Sequence, residues 1–229
     1  GFVLIVWITF SLSEGFAGRK TLIAVLVTLW GMRLCLYLSK RNWGAAEDAR
    51  YGEWRKKSGD RFWFVSLFKV FLLQAIFMWI IALTLQFGQL STTPDHFVWL
   101  DALGVFIWVV GFLFEAVGDW QLARFKADPA NKGRVMDQGL WAYTRHPNYF
   151  GECCVWWGFY LFALAAGGWW AILSPLLMTF LLLRVSGVAL LEKDIADRRP
   201  AYRDYVERTS AFLPAPPKPQ RNGDAVNGV

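Results

Sequence analysis

Six apolar stretches alternate with polar connections along the chain, at residues 1–13, 21–39, 63–87, 97–117, 149–166 and 169–191. A helix crossing the hydrocarbon core of a bilayer needs about 20 apolar residues, and the stretches reach or approach that length apart from the first. The chain opens inside that first stretch, at Gly1, with no Met and no charged n-region. It therefore reads as the remainder of a longer span and not as a signal peptide. The connections between spans one and two, three and four, and five and six are short; those after spans two and four are longer and charged. The pattern predicts an all-α integral membrane protein: a multi-span helix bundle forming one domain over residues 1–214. The Pro-, Gly- and Asn-rich end, residues 215–229, is expected to be a disordered tail.

Charge orients the bundle. Seven Lys and Arg lie in residues 40–61, five in 119–146 and seven after residue 191. The opposite side carries only Arg19 and Lys20, and the remaining three, Arg33, Lys69 and Arg184, fall within spans. This asymmetry is the positive-inside pattern, and it alternates as six spans require. It places the two long loops and the C-terminus in the cytoplasm. Composition agrees with the class: 55% of the 229 residues are hydrophobic, 18% are charged, and there are 14 Trp and 19 Phe. The net charge of +6 follows from the topological bias and suits contact with anionic lipid. It does not suit nucleic acid, for which no soluble domain exists. The three cysteines, Cys35, Cys153 and Cys154, lie in apolar segments without disulfide or zinc spacing and read as small buried hydrophobes.

Polar side chains inside or beside such spans are costly and functional by default. Three clusters stand out. In "FEAVGDWQLARFKADP", Glu115 and Asp119 share a helix face at i and i+4, followed by Gln121 and Arg124. In "YTRHPNYFGE", Pro147 suits the first turn of a helix, and Asn148 and Glu152 then share a face one turn into span five, beside Arg145, His146 and Tyr149. In "LLEKDIADRRPAYRDYVERTSAFLP", Arg198, Arg199, Tyr202 and Tyr205 follow the last span. Each has a plainer reading, as buried ion pairs or interhelical hydrogen bonds in the first two and as an interfacial anchor in the third. Together they place carboxylates, amides, tyrosines and arginines around one cytoplasmic mouth. Arginine forks match phosphates, tyrosine faces match a purine, and a carboxylate beside an amide matches a nicotinamide carboxamide. A nucleotide-bearing cofactor is implied; with no G-x-G-x-x-G or P-loop, its site is not of the Rossmann type.

The same three motifs resemble DUF1295, a bacterial family of membrane proteins related to steroid 5-alpha-reductases, over roughly residues 30–217. The wider superfamily includes sterol reductases and isoprenylcysteine carboxyl methyltransferases. The resemblance implies a seven-helix bundle in the bacterial inner membrane, with substrate in about residues 1–96 and NADPH in about residues 97–214. It implies that Asn148 and Glu152 hold the nicotinamide end, with Asp119 beside them. Glu115 stands where the steroid reductases carry Asn, Arg145 follows the sterol-reductase form of the motif, and Tyr202 and Tyr205 fall on aromatic positions of the terminal segment. The steroid reductases polarise the substrate carbonyl with a Glu–Tyr pair. Here the Tyr position is Trp30, Arg33 and Tyr37 keep an Arg-x-x-x-Tyr pattern nearby, and Glu14 is the available acid.

These readings converge on an NADPH-dependent reductase of an activated C=C bond in a lipophilic, steroid- or isoprenoid-like substrate. Arg33, Tyr37 and Glu14 are the catalytic candidates; plainer roles for Arg33 and Tyr37 are a snorkelling or paired cation and an interface aromatic. Cofactor candidates are Glu115, Asp119, Arg124, Arg145, His146, Asn148, Tyr149, Glu152, Arg198, Arg199, Tyr202 and Tyr205. The rival is an S-adenosylmethionine-dependent methyltransferase, although Lys193 after Glu192 departs from that branch's Glu-Glu pair. A non-catalytic lipid-binding protein is a third alternative. Metal ligation is not expected, and the oligomeric state is not readable.

Overall fold

The computed structural model describes residues 1–44, 49–185 and 201–219. Among them every regular element is helical and no strand occurs. Three helical runs are long and apolar enough to cross a membrane: Ala17–Asn42, Arg55–Leu90 and Trp99–Ala127. Two shorter apolar runs, Phe2–Leu12 and Trp169–Val185, accompany them. The long runs leave large apolar side chains uncovered, among them Leu29, Met32, Leu36, Phe68, Phe71 and Phe106. In water such surface would associate; against lipid chains it is the expected outer face. The chain is built as a membrane protein in contact with lipid.

The helices follow the apolar stretches. Helix α1 is Phe2–Leu12, α2 Ala17–Asn42 and α3 Ala49–Ser58. After α4 (Phe62–Ser66), the run widens into a π segment, Leu67–Leu72, before α5, Leu73–Leu90. Then come α6 (Trp99–Ala127), α7 (Pro147–Ala165), α8 (Leu173–Phe180) and α9 (Ala201–Arg208). The main departure from expectation is α6, which continues ten residues past the predicted end at Val117. The polar residues that lower hydropathy there, Glu115 and Asp119, are buried at 3% and 4% exposure. The polar signal marked interior positions of a helix and not its end.

The chain forms two compact units. The first comprises Gly1–Phe106 and Trp156–Leu177, the second Ile107–Val155 and Met178–Val229. In the first, α1, α2 and α5 pack on one another around Val6, Ile23, Val27, Trp30, Ile81 and Leu85, with Trp156, Phe159 and Phe162 also buried. A buried ion pair closes one end: Arg19 Nε and Nη2 donate to Asp101 Oδ1 and Oδ2 at 2.7 and 2.9 Å. Asp101 Oδ2 also accepts from Val98 N, near the start of α6. Lys20 Nζ donates to the Phe10 and Ser13 carbonyls at the end of α1. Both cations assigned to the non-cytoplasmic side are thus engaged in holding helix ends.

Glycines set how closely α6 and α7 approach. In the first unit a Cβ on Gly104 would stand 3.0 Å from the Gly158 carbonyl oxygen. In the second, a Cβ on Gly111 would meet Gly151 O at 2.6 Å and Val155 N at 2.7 Å, and one on Gly151 would meet Glu115 N at 2.5 Å. Backbone touches backbone at these points, which only glycine permits; lipid-embedded helices pack in this way.

Candidate functional site

All described cofactor candidates fall in the second unit. Helix α6 contributes Glu115, Asp119 and Arg124. One turn separates Glu115 from Asp119, a rise of roughly 6 Å on one face. The first turns of α7 supply Asn148, Tyr149 and Glu152. The Gly111–Gly151 approach brings this end of α7 against α6, and Gly118 lies under Pro147 and Asn148, its would-be Cβ 3.2 Å from Pro147 Cγ. At this distance Asn148 Nδ2 donates to Asp119 Oδ1 at 3.2 Å, while Asn148 Oδ1 accepts from Tyr149 N at 3.1 Å. The amide is thereby oriented, with its nitrogen toward the carboxylate.

Burial separates the acids. Glu152 is only half-buried, as are Asn148 and Tyr149, whereas Glu115 and Asp119 are almost fully enclosed. The i, i+4 pair on α6 is the deep carboxylate pair, and Asn148 and Glu152 form its more open margin. Tyr149 stacks on buried His146 with centroids 5.6 Å apart and rings inclined by 6°.

The loop between α6 and α7 is fastened to α6. Trp141 Nε1 donates to Gly118 O at 3.1 Å, and Leu140 N donates to Gln121 Oε1 at 3.0 Å. Gly139, at φ +61°, passes so close to Gln121 that a side chain there would overlap its amide. Gln121 is therefore a loop anchor.

The terminal segment closes the same unit from the other side. Tyr205 and Tyr202 are buried, and Tyr205 Oη donates to Trp141 O at 2.6 Å. Burial pushes the Tyr205 phenol above its ordinary value, reinforced by Tyr202 and opposed by Arg145. Arg145 Nη1 donates to the Val206 and Thr209 carbonyls, both at 2.9 Å, capping the end of α9. Arg145 N donates to Ser210 O, Thr144 Oγ1 to Phe212 O, and Ala215 N to Tyr143 O. Arg208 is paired with Asp137.

These contacts change the expected roles. Arg145 and the two tyrosines are enclosed supports that lock residues 201–215 onto the start of α7; a phosphate or purine would have to reach them through that packing. Arg124 is exposed, with its guanidinium 5.6 Å from the Trp120 ring. Arg198 and Arg199 lie outside the described residues, as do Glu192 and Lys193. Residues 215–218, expected to begin a disordered tail, are held in place: Lys218 N donates to Arg208 O at 2.9 Å. Short hydrogen bonds to fixed partners outweigh the disorder that Pro-rich composition suggests.

The catalytic candidates lie in the first unit and are not brought together. Glu14 is exposed before the N-terminus of α2. Arg33 and Tyr37, both half-buried, come 16 and 20 residues after Ala17, roughly 24 and 30 Å along the helix. Glu14 therefore cannot act on the same carbonyl as Tyr37. Tyr37 instead faces the Arg41 guanidinium at 5.8 Å. Sequence reasoning named no role for Trp156, fully buried in α7. Among the described residues, no group of His, Cys, Asp and Glu is arranged to hold a metal ion.

A protein family described as "protein of unknown function (DUF1295)" matches residues 1–209. The chain belongs to the DUF1295 family. This DUF1295 protein is also 27% identical over 237 residues to an uncharacterized protein of Schizosaccharomyces pombe, with 90% of the chain and 66% of the relative covered. It thus spans just under two thirds of that relative's length. No solved structure matches it.

Proposed function

We propose that the protein is an NADPH-dependent reductase of an activated C=C bond in a lipophilic substrate, related to the steroid 5-alpha-reductases. The observation that carries the reading is the Asn148 amide fixed on Asp119, with Glu115 one turn below it and Glu152 one turn along α7. A nicotinamide carboxamide presents one acceptor and two donor hydrogens. Asp119 and Glu152 supply acceptors, and the oriented Asn148 amide supplies a further hydrogen-bonding group, so the donor set fits. Two enclosed carboxylates and an amide at the base of an apolar helix pair are costly to bury, and a polar cofactor end gives that cost a purpose. Tyr149, stacked on His146, offers a flat half-buried surface beside them. Arg124, with Arg198 and Arg199, is the candidate contact for the cofactor's phosphates.

The cofactor would supply a hydride to the β-carbon of the substrate. The protein's part is to orient both partners, exclude water with its aromatic-rich spans, and place a hydrogen-bond donor where charge develops on the substrate oxygen. The charge asymmetry supports six spans, a cytoplasmic C-terminus and a site opening to the cytoplasm; the family resemblance supports a bacterial inner membrane. That asymmetry is sharper than the count suggests, since Arg19 is neutralised by Asp101 and Lys20 is engaged by helix-end carbonyls.

Equilibrium binding to the protein in lipid nanodiscs tests the reading. NADPH is expected to bind saturably and S-adenosylmethionine not at all. Binding of S-adenosylmethionine alone would replace the reductase by a methyltransferase.

A further inference from the structure

Trp156 has no exposed surface, and among the described residues its indole Nε1 has no hydrogen-bond acceptor. Leaving a buried N–H unmatched is costly and uncommon in native proteins. What surrounds it is aromatic: Phe2 at 4.6 Å between centroids with the rings 60° apart, Trp30 at 5.6 Å and 82°, and Phe159 at 5.7 Å and 62°. All four rings belong to the first unit.

The chemistry around this N–H restricts what it can take. A buried water needs two to four polar partners. Elsewhere in the same unit, Ser13 Oγ, Arg19 Nη1 and Gln89 Oε1 are also buried without partners. Those three sit among backbone carbonyls and a carboxylate, where water has several groups to bridge. Trp156 instead offers its donor among aromatic rings, of which only Trp30 carries another polar atom, also an indole N–H. That is complementary to a molecule that is apolar over most of its surface and carries an acceptor atom. A cation is excluded because the polar atoms of these four rings are donors, and an alcohol would bring a hydroxyl hydrogen that none of the four rings accepts with a lone pair.

We propose that Trp156 Nε1 is a substrate-binding donor that takes the carbonyl oxygen of a lipophilic ketone. Phe2, Trp30 and Phe159 wall the hydrocarbon beside that oxygen. Binding requires only this geometry. That the ketone is conjugated and is the hydride acceptor rests on the reductase reading, in which the same N–H stabilises the enolate oxygen. Trp156 follows Glu152 by four residues in α7.

The test uses the full chain in nanodiscs without NADPH, and β-ionone as probe: a lipophilic enone with one oxygen. Its deoxygenated hydrocarbon skeleton is the control. Wild-type protein should bind the ketone roughly tenfold more tightly than the hydrocarbon. Isotope-edited infrared spectra should show the bound carbonyl stretch shifted down, as an N–H donor requires. W156F keeps an aromatic side chain and removes the donor. It should remain folded, bind both molecules alike and lose the carbonyl shift. Undiminished preference for the ketone in W156F would overturn the proposal, and so would equal binding of ketone and hydrocarbon by the wild type. Should W156F not fold, the wild-type carbonyl band decides alone: an unshifted band means that the indole N–H points at a neighbouring ring and binds nothing. Because cofactor is absent, failure to bind NADPH in a separate experiment would remove the reductase reading and leave this result standing. Conversely, NADPH binding with no ketone preference would remove only the role of Trp156.

Discussion

Asn148 Nδ2 donates to Asp119 Oδ1 across 3.2 Å, joining the first turn of α7 to a carboxylate held at 4% exposure on α6. The bond satisfies part of a buried charge. Asn148→Ala removes it without adding bulk, leaving a carboxylate oxygen short of a donor. The expected loss is about 1–3 kcal/mol, read as a lower unfolding temperature in detergent or nanodiscs. An unchanged unfolding temperature would mean that water replaces the amide and that the two helices are not coupled here.

The α6–α7 approach makes an opposite pair of predictions for two glycines. Gly151→Ala drives a methyl group against Glu115 N and Gly111 O, backbone atoms that cannot rotate away. The helices must separate, at a cost of about 1–3 kcal/mol or more, and the Asn148–Asp119 bond should weaken with them. Gly52→Ala, in α3, meets nothing within 4 Å. There the higher helix propensity of Ala should stabilise by up to about 1 kcal/mol. Thermal unfolding of both variants checks the contrast.

Alkaline pH should loosen the terminal segment. Burial raises the Tyr205 phenol above its ordinary value of 10. The folded state then keeps a proton that the unfolded chain releases, so the stabilisation is complete below about pH 10 and is lost as pH rises through the higher folded value. Limited proteolysis of residues 201–215 should accelerate above about pH 10 in the wild type. In Tyr205→Phe this alkaline dependence should flatten, with faster cleavage already at pH 7 because Trp141 O loses its donor.

Orientation is checked by single cysteines in a background lacking Cys35, Cys153 and Cys154. A cysteine at Lys56 or Ala130 should resist an impermeant thiol reagent in intact cells, and one at Ser91 should react. The reverse pattern would move the proposed site to the other side of the membrane.

Much of this architecture was legible as hydropathy. Among the described residues, each of the six apolar stretches falls on a helical run, because apolar length is what a bilayer selects. The i, i+4 spacing puts Glu115 and Asp119 on one face of α6, and Asn148 and Glu152 on one face of α7, and Asn148 meets Asp119. What escaped were features that depend on approach distance and partner choice. Gly104, Gly111 and Gly118, with Gly151 and Gly158, recur at seven-residue intervals on facing helices. That spacing was the readable signal for close packing, but only the fold shows which glycines meet. Arg145 reads as a phosphate ligand by residue type, yet its Nη1 is directed to the carbonyls ending α9, a partner invisible in a list of polar residues. Glu14, Arg33 and Tyr37 were grouped through the family resemblance, and the length of α2 separates Glu14 from the other two.

The central claim is that the polar floor formed by Asp119, Asn148 and Glu152 holds the nicotinamide end of NADPH. Its most direct test is the unfolding temperature of wild type, Glu152→Gln and Glu152→Leu, each with and without saturating NADPH. The account predicts that NADPH raises the wild-type temperature. Both variants should keep their cofactor-free temperature, while affinity for NADPH falls by about 1–3 kcal/mol. If instead both variants lose stability without cofactor and keep the wild-type NADPH shift, Glu152 is a strut between helices and the floor does not hold the cofactor.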